Sequence, residues 1–156
     1  MHISVMPQEV LELLKAKAGG TVVDGKLGLA GHSYLIAQQL GPKGHLIGID
    51  RDSFAIELAK KKLEDLRLQK DFCQGNFADI NVHLQQLNVT HVDGVLLDLG
   101  ISSFQLDNAA RGFAFSSDGP LDMRMDQSKG ASAADLVNTL SEDRLAKIIE
   151  EFGEDR

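Results

Sequence analysis

Aspartates at the ends of predicted strands are the residues of this sequence best suited to chemistry. Asp24 ends a short β-branched run, Asp50 ends the apolar run His45–Asp50, and Asp98 comes near the end of the apolar run 92–99. In an open parallel sheet, ligands bind in the crevice outside the carboxyl ends of the strands. Carboxylates at that edge favour a cationic ligand, and we expect these three to line one cleft.

A glycine-rich loop, residues 24–33, lies between the first predicted strand and the helix that follows it. Its small residues let a ligand approach the backbone, and Asp50 follows Gly28 by about 20 residues, the separation at which a carboxylate accepts hydrogen bonds from ribose hydroxyls. The two features together predict an adenosine-type ligand. The glycines at 25, 28 and 31 do not match the G-x-G-x-x-G pattern of a dinucleotide site.

Each of these residues also has a purely structural interpretation. Asp50 could cap a helix after a tight turn, Asp98 could be a turn aspartate, and Phe77, at the end of the third predicted strand, could be a core aromatic. The functional interpretation places Phe77 against an adenine and makes the acidic cleft suitable for the sulfonium of S-adenosylmethionine.

The elements that would position these residues alternate along the chain. The predicted helices are 8–17, 33–40, 53–67 with Asp52 or Ser53 as the cap, 80–87, 131–139 and 141–152, and the predicted strands are 21–24, 45–50, 72–77 and 92–99. Strands that alternate with helices predict an α/β fold with a parallel sheet. Its last strand would be an exposed edge, which favours pairing with another chain, including a second copy.

The segment between 99 and 128 shows neither a helical nor an alternating period. It follows a strand that we expect to be buried, and it carries apolar side chains that a solvated linker would lack, namely Leu106, Phe113, Phe115, Leu121, Met123 and Met125. Long irregular segments inside compact domains are usually functional. We therefore predict an ordered active-site loop.

Composition excludes several classes of protein. The formal net charge of −7 argues against a protein that holds nucleic acid by bulk attraction to phosphate. The single cysteine, Cys73, is predicted to lie in the core, and the five histidines show no metal-ligand spacing, so no metal is expected. There is no apolar run long enough for a membrane span and no signal-peptide pattern, which favours a cytoplasmic protein.

The motifs of this chain resemble those of the bacterial S-adenosylmethionine-dependent methyltransferases that modify a cytidine at N4 in small-subunit (16S) ribosomal RNA, the RsmH or MraW type. The resemblance covers nearly the whole chain and is most specific in the block 118–126, DGPLDMRMD. It implies a Rossmann-like class I methyltransferase fold with a truncated parallel sheet. Residues 1–128 would form the first four strands of the cofactor-binding core, and 129–156 would begin an inserted helical domain.

The resemblance also assigns residues. The family's cofactor contacts fall on Ala30, Gly31, His32, Asp50, Phe77, Asp98 and Gln105. The family usually has Thr where Lys26 stands, Gly where Ala30 stands and Pro where Phe104 stands. Lys26 puts a positive charge near a cationic ligand, and the Cβ of Ala30 narrows a loop whose backbone should approach that ligand.

The function implied is N4-methylation of a cytidine in the RNA of the small ribosomal subunit. Transfer of a methyl group to an exocyclic amine needs alignment and an acceptor for an N–H, for which Asp98, Ser102 and Ser103 are the candidates. Two alternatives stay open from the residues alone. One is a catalytically incomplete fragment that binds the cofactor and oligomerises through its open sheet edge, and the other is a nicotinamide-dependent oxidoreductase, which the glycine spacing disfavours.

Overall fold

A computed structural model describes residues 4–153. The chain divides into two compact units, with the division between Ser102 and Ser103. The first unit holds the sheet and the glycine-rich loop, and the second is built from short helices and a long connecting segment.

A parallel sheet of four strands forms the centre of the first unit. The elements follow in the order α1 (Pro7–Leu14), β1 (Thr21–Asp24), α2 (Gly31–Leu40), β2 (His45–Asp50), α3 (Ser53–Lys62), β3 (Gln69–Gln74), α4 (Ile80–Gln86) and β4 (Gly94–Leu96). The strand order is β3-β2-β1-β4, and every neighbouring pair is parallel. The predicted Rossmann-like α/β architecture is confirmed.

Apolar side chains that alternate along the strands belong to two separate clusters. Val22 and Leu46 pack with residues of α1, α2 and α3, whereas Val23, Ile47 and Ile49 pack with residues of α4 and the segments beside it. Because successive side chains of a strand point to opposite faces, this division places helices on both sides of the sheet. The half-buried Cys73 packs against the second cluster.

The fourth strand is shorter and more exposed than the sequence predicts. It covers Gly94–Leu96 rather than 92–99, and Val95, Leu97 and Leu99 are 42%, 46% and 57% exposed, so the prediction of a buried strand is wrong. Apolar composition does not guarantee burial when a strand has a neighbour on one side only. Within the described residues that neighbour is β1, and the predicted edge position is confirmed.

The bounds of α3 and β3 also differ from the predicted ones. The helix α3 ends at Lys62 rather than 67, and the Lys70 ammonium donates to the carbonyls of Leu63 and Leu66 at 2.7 and 2.8 Å, beside the helix end. The third strand is Gln69–Gln74 rather than 72–77. Its predicted last residues instead start a 3₁₀ turn, in which the side chain of Asn76 accepts from the amide of Ala78.

The second unit contains regular structure that the sequence did not reveal. In the segment predicted to have none, α5 spans Ser103–Asp107 and a 3₁₀ turn spans Ala109–Arg111. The helices α6 (Ala133–Thr139) and α7 (Glu142–Phe152) follow and confirm the two helices predicted at 131–139 and 141–152. The five residues of α5 are too few to show a helical period, which explains why they were missed.

Arginine contacts hold the irregular part of the second unit in place. The guanidinium of Arg111, which is 5% exposed, donates to the carbonyls of Arg124 and Met125 at 3.0 and 2.8 Å. Arg124 forms a fork with both carboxylate oxygens of Asp122, at 3.0 and 2.7 Å, and holds the pKa of that carboxyl well below its usual range. The predicted order of this segment is therefore built from its own charged side chains.

Two serines at helix starts offer a matched test of how α6 is stabilised. Ser132 forms a capping box with Asp135, accepting from its amide at 3.1 Å, whereas Ser141 caps α7 without a side-chain hydrogen bond. We expect Ser132→Ala to lower the free energy of unfolding by about 1 kcal/mol and Ser141→Ala to change it by less than about 0.5 kcal/mol. Urea unfolding followed by circular dichroism measures both, and equal effects would contradict the assigned caps.

Candidate functional site

A cleft opens in the first unit, beside the glycine-rich loop and the residues that follow β4. Its volume is about 190 Å³, and its lining includes Asp24, Lys26, Gly28, His32, Asp98 and Ser102. Polar groups of both charges therefore meet in one concave region, which is the usual character of a small-molecule site.

The loop that forms one wall is fixed to the ends of two strands. The amide of Gly25 donates to the carbonyl of Leu96 at 2.8 Å, and a Cβ at position 25 would overlap the side chain of Leu97. The amide of Leu27 donates to the carbonyl of Ile49 at 3.2 Å. Glycine at 25 is thus required by the close approach of the chain that leaves β4.

Gly28 is the position where the loop is open to a ligand. Its φ of +51° lies in the left-handed region, and a Cβ there would be 3.8 Å from the Lys26 ammonium nitrogen and 3.9 Å from the Cβ of Ser102. Both of those residues line the cleft. A side chain at 28 would therefore occupy cleft volume, which is the expected property of a loop that receives a ligand against its backbone.

Ala30 adopts the same left-handed conformation without being glycine. Its φ is 53° and ψ is 33°, it precedes α2, and its side chain is fully buried in the core. A non-glycine residue in this region costs roughly 1–2 kcal/mol, so the packing of the loop must impose it. The same loop is held from outside by Lys62, whose ammonium donates to the carbonyl of Leu29 at 3.0 Å.

Asp50 joins the glycine loop to the start of α3. One carboxylate oxygen accepts from the amide of Gly28 at 2.9 Å, and the other accepts from the amide of Asp52 at 2.9 Å. Asp52, not Asp50, caps α3, by accepting from the amide of Phe54 at 3.0 Å. The alternative interpretation of Asp50 as a helix cap is therefore wrong, and its oxygens retain lone pairs for further donors.

Asp24 is a buried carboxyl at the floor of the site, with only 1% of its surface exposed. It accepts from the hydroxyl of Ser33 at 2.6 Å and from the amide of Lys26 at 3.2 Å. Burial raises its pKa to about 7 despite these hydrogen bonds, and the negative charges of Asp50 and Asp98 act in the same direction. The sequence predicted Asp24 in the cleft but gave no signal for Ser33 as its partner.

Asp98 and His32 face each other across the opening. The Nε2 of His32 and a carboxylate oxygen of Asp98 are 3.8 Å apart, with side-chain exposures of 7% and 40%. Asp98 is therefore an accessible carboxylate, in contrast to Asp24. Ser102 lies on the same lining.

The remaining predicted residues lie in different places. Gly31 lines the cleft, and the Cβ of Phe77 is 3.2 Å from the position a Cβ on Gly25 would take. Ser103 and Gln105 belong to the second unit, where Ser103 begins α5 and Gln105 is 3% exposed. The lining also includes Ser4 and Val5, which no chemical pattern in the sequence indicated.

The described part of the chain shows neither a metal-binding cluster nor a membrane-spanning helix. Across residues 4–153, no three histidine, cysteine or acidic side chains lie close enough to share a metal ion. No helix within that range has the length and apolar character that crossing a bilayer requires.

Comparison with known proteins identifies the family. The model of the MraW methylase family matches residues 1–156. The chain belongs to this family. Membership confirms the predicted family and fold class, and the cofactor of MraW methylases is S-adenosylmethionine.

Individual relatives agree with this assignment. Proteins named ribosomal RNA small subunit methyltransferase H match 99% of this chain, at 52% identity in Syntrophotalea carbinolica, 53% in Geobacter sp. strain M21 and 52% in Citrifermentans bemidjiense. The aligned region covers 49%, 50% and 50% of those proteins. The chain therefore spans about half the length of these MraW relatives.

The raised pKa of Asp24 predicts a specific pH dependence of stability. Between about pH 4 and 7 the folded chain holds a proton on Asp24 that the unfolded chain has released, so stability falls as the pH rises through this window. In the wild type we expect Asp24 to lower the free energy of unfolding by about 2–3 kcal/mol between pH 5 and 8. Asp24→Asn, which keeps an acceptor for the Lys26 amide, should abolish this decrease.

Urea unfolding at intervals of one pH unit measures the effect. The exposed Asp65 is a suitable control, because Asp65→Asn makes the same charge change on the surface. Parallel stability curves for the wild type and Asp24→Asn would contradict the assigned protonation.

Proposed function

We propose that the chain forms the cofactor-binding half of an S-adenosylmethionine-dependent methyltransferase that modifies N4 of a cytidine in 16S ribosomal RNA. The observation that carries the proposal is the family match together with a cleft lined by Gly28 and Asp98, beside which Asp50 accepts from the amide of Gly28. Small-subunit ribosomal RNA is the substrate named for the relatives. A cytoplasmic location follows from that substrate.

Residues in the cleft and beside it fit the cofactor. Asp50, at the end of β2, retains lone pairs that can accept from the ribose hydroxyls, and its bond to Gly28 fixes the loop beside it. Phe77 begins the 3₁₀ turn after β3, and we propose that it contacts the adenine. The proposed set is completed by Ala30, Gly31, His32, Asp98 and Gln105.

The cofactor, when bound, supplies an electrophilic methyl group on a sulfonium. The chain's own residues orient the acceptor and accept its proton. Asp98 is an accessible carboxylate on the cleft, so it can accept a hydrogen bond from an N–H of the cytidine amine and increase the electron density on nitrogen. Ser102 lines the same cleft and Ser103 follows it, and both are proposed as further acceptors.

The target base must reach the cleft unpaired or flipped out of its helix. The net charge of −7 means that the chain's overall electrostatics repel RNA. The dense cluster Lys60, Lys61 and Lys62 is partly engaged within the protein, since Lys60 pairs with Glu57 at 2.8 Å and Lys62 binds the glycine loop. Recognition by shape around an exposed nucleotide is therefore favoured over attraction to phosphates.

The proposed activity is tested with small ribosomal subunits that lack the modification and with radiolabelled methyl donor. We expect this chain to incorporate label that nuclease digestion recovers as N4-methylcytidine. A full-length relative is assayed in parallel. Label in a different nucleoside would contradict the site of modification. Activity of the relative alone would restrict this chain to cofactor binding. The mass in solution would then show whether copies of the chain associate, as the exposed edge strand β4 predicts.

Gly28 allows a test of the cleft itself. We expect Gly28→Ala to weaken binding of S-adenosylhomocysteine at least tenfold, because the added methyl group enters the cleft between Lys26 and Ser102. Gly19→Ala is the matched control, since Gly19 also has a positive φ, of +80°, and room for a Cβ 3.7 Å from Lys43, but it does not line the cleft.

Both glycine variants should lose stability by roughly 1–2 kcal/mol from the left-handed backbone. Only Gly28→Ala should lose affinity in isothermal titration calorimetry. Equal affinity of the two variants would show that the ligand does not approach Gly28.

A further inference from the structure

We propose that Lys26 binds the carboxylate of the cofactor's amino-acid portion and so distinguishes the complete cofactor from nucleosides that lack this group. The inference rests on the proposed function. It makes the positive charge of Lys26 a binding group.

The order of the strands gives the bound ligand a direction. Asp50 ends β2 and Phe77 follows β3, whereas the cleft lies beside the next two strands of the sheet, β1 and β4. A ligand with its adenine near Phe77 and its ribose on Asp50 must extend its amino-acid portion over the carboxyl ends of β1 and β4. That portion carries one ammonium and one carboxylate.

The cleft offers different partners for these two charges. Asp24 and Asp98 are acidic and suit the ammonium and the neighbouring sulfur. Lys26 is the one lysine or arginine among the lining residues that the structure describes. The ammonium of Lys62 would lie 4.0 Å from a Cβ on Gly31, but it donates to the carbonyl of Leu29 and is not part of the lining. Lys26 is therefore the cationic partner that the described cleft lining offers the carboxylate.

The position of Lys26 fits this role. Its amide is fixed on the Asp24 carboxylate at 3.2 Å, and its ammonium lies over Gly28, 3.8 Å from where a Cβ would stand. The side chain is half-buried and follows the loop instead of extending into solvent. Since Gly28 has no side chain, the space next to the ammonium is left for a ligand.

An ammonium suits a carboxylate better than a neutral hydroxyl would. A hydroxyl donates one neutral hydrogen bond, whereas an ammonium offers three donors and a full charge. Hydrogen bonds between charged groups are roughly twice as strong as neutral ones. A lysine at this place should therefore increase the contribution of the carboxylate to binding.

The test compares two ligands that differ only in this group. S-adenosylhomocysteine carries the carboxylate and no sulfonium, and its decarboxylated analogue retains the ammonium alone. By isothermal titration calorimetry, we expect Lys26→Met to weaken S-adenosylhomocysteine about tenfold and the decarboxylated analogue less than twofold. Lys26→Arg, which keeps the charge, should bind S-adenosylhomocysteine within about threefold of the wild type.

Lys43→Met is the control for a change of net charge, because Lys43 is an exposed residue of the turn before β2. It should leave both affinities unchanged. The proposal is overturned if Lys26→Met binds S-adenosylhomocysteine as the wild type does, or if it loses the same factor for both ligands. Failure of the wild type to bind S-adenosylhomocysteine at all would instead overturn the proposed function, and this inference with it.

Discussion

The carboxylate of Asp50 joins the parts of the backbone on which the site depends. It accepts from the amide of Gly28 in the loop after β1 and from the amide of Asp52 at the start of α3. The backbone carbonyl of Asp50 accepts from the amide of Gly75, which follows β3. Three connections that leave three neighbouring strands are thus fixed to one residue. Gly28 and Ala30 in this loop have left-handed backbone conformations. The hydrogen bond to Asp50 and the burial of the Ala30 side chain stabilise these conformations against their strain.

The sequence predicted the parts of the fold that depend on local pattern. The strand His45–Asp50 has neighbours on both sides and is apolar on both faces, so its bounds were predicted without error. The strand β4 was predicted poorly because its length depends on β1, whose pairing with it runs from Val22 to Asp24. The residue types in 92–99 carry no information on the length of β1, the strand with which they pair.

The candidate site shows the same division between local and non-local information. Of the three aspartates predicted to line one cleft, Asp24 and Asp98 do so together with Gly31, whereas Asp50 lies beside the cleft and binds the amide of Gly28. The hydrogen bond between Ser33 and Asp24 depends on where α2 begins, after the left-handed residue Ala30. No pattern of residue types in the sequence predicts that left-handed conformation. The block 118–126 is the most recognisable part of the chain, yet the structure explains much of it as internal support, since Arg124 and Asp122 bind each other.

A carboxyl with a pKa near 7 at the floor of a cleft has a thermodynamic consequence for whatever binds above it. A positively charged ligand favours the ionised form of Asp24, so its arrival near neutral pH expels a proton into the solvent. The heat of association would then include the heat of protonating the buffer. The same complex formed in phosphate and in Tris would give different apparent enthalpies, and the slope between them would count the protons released.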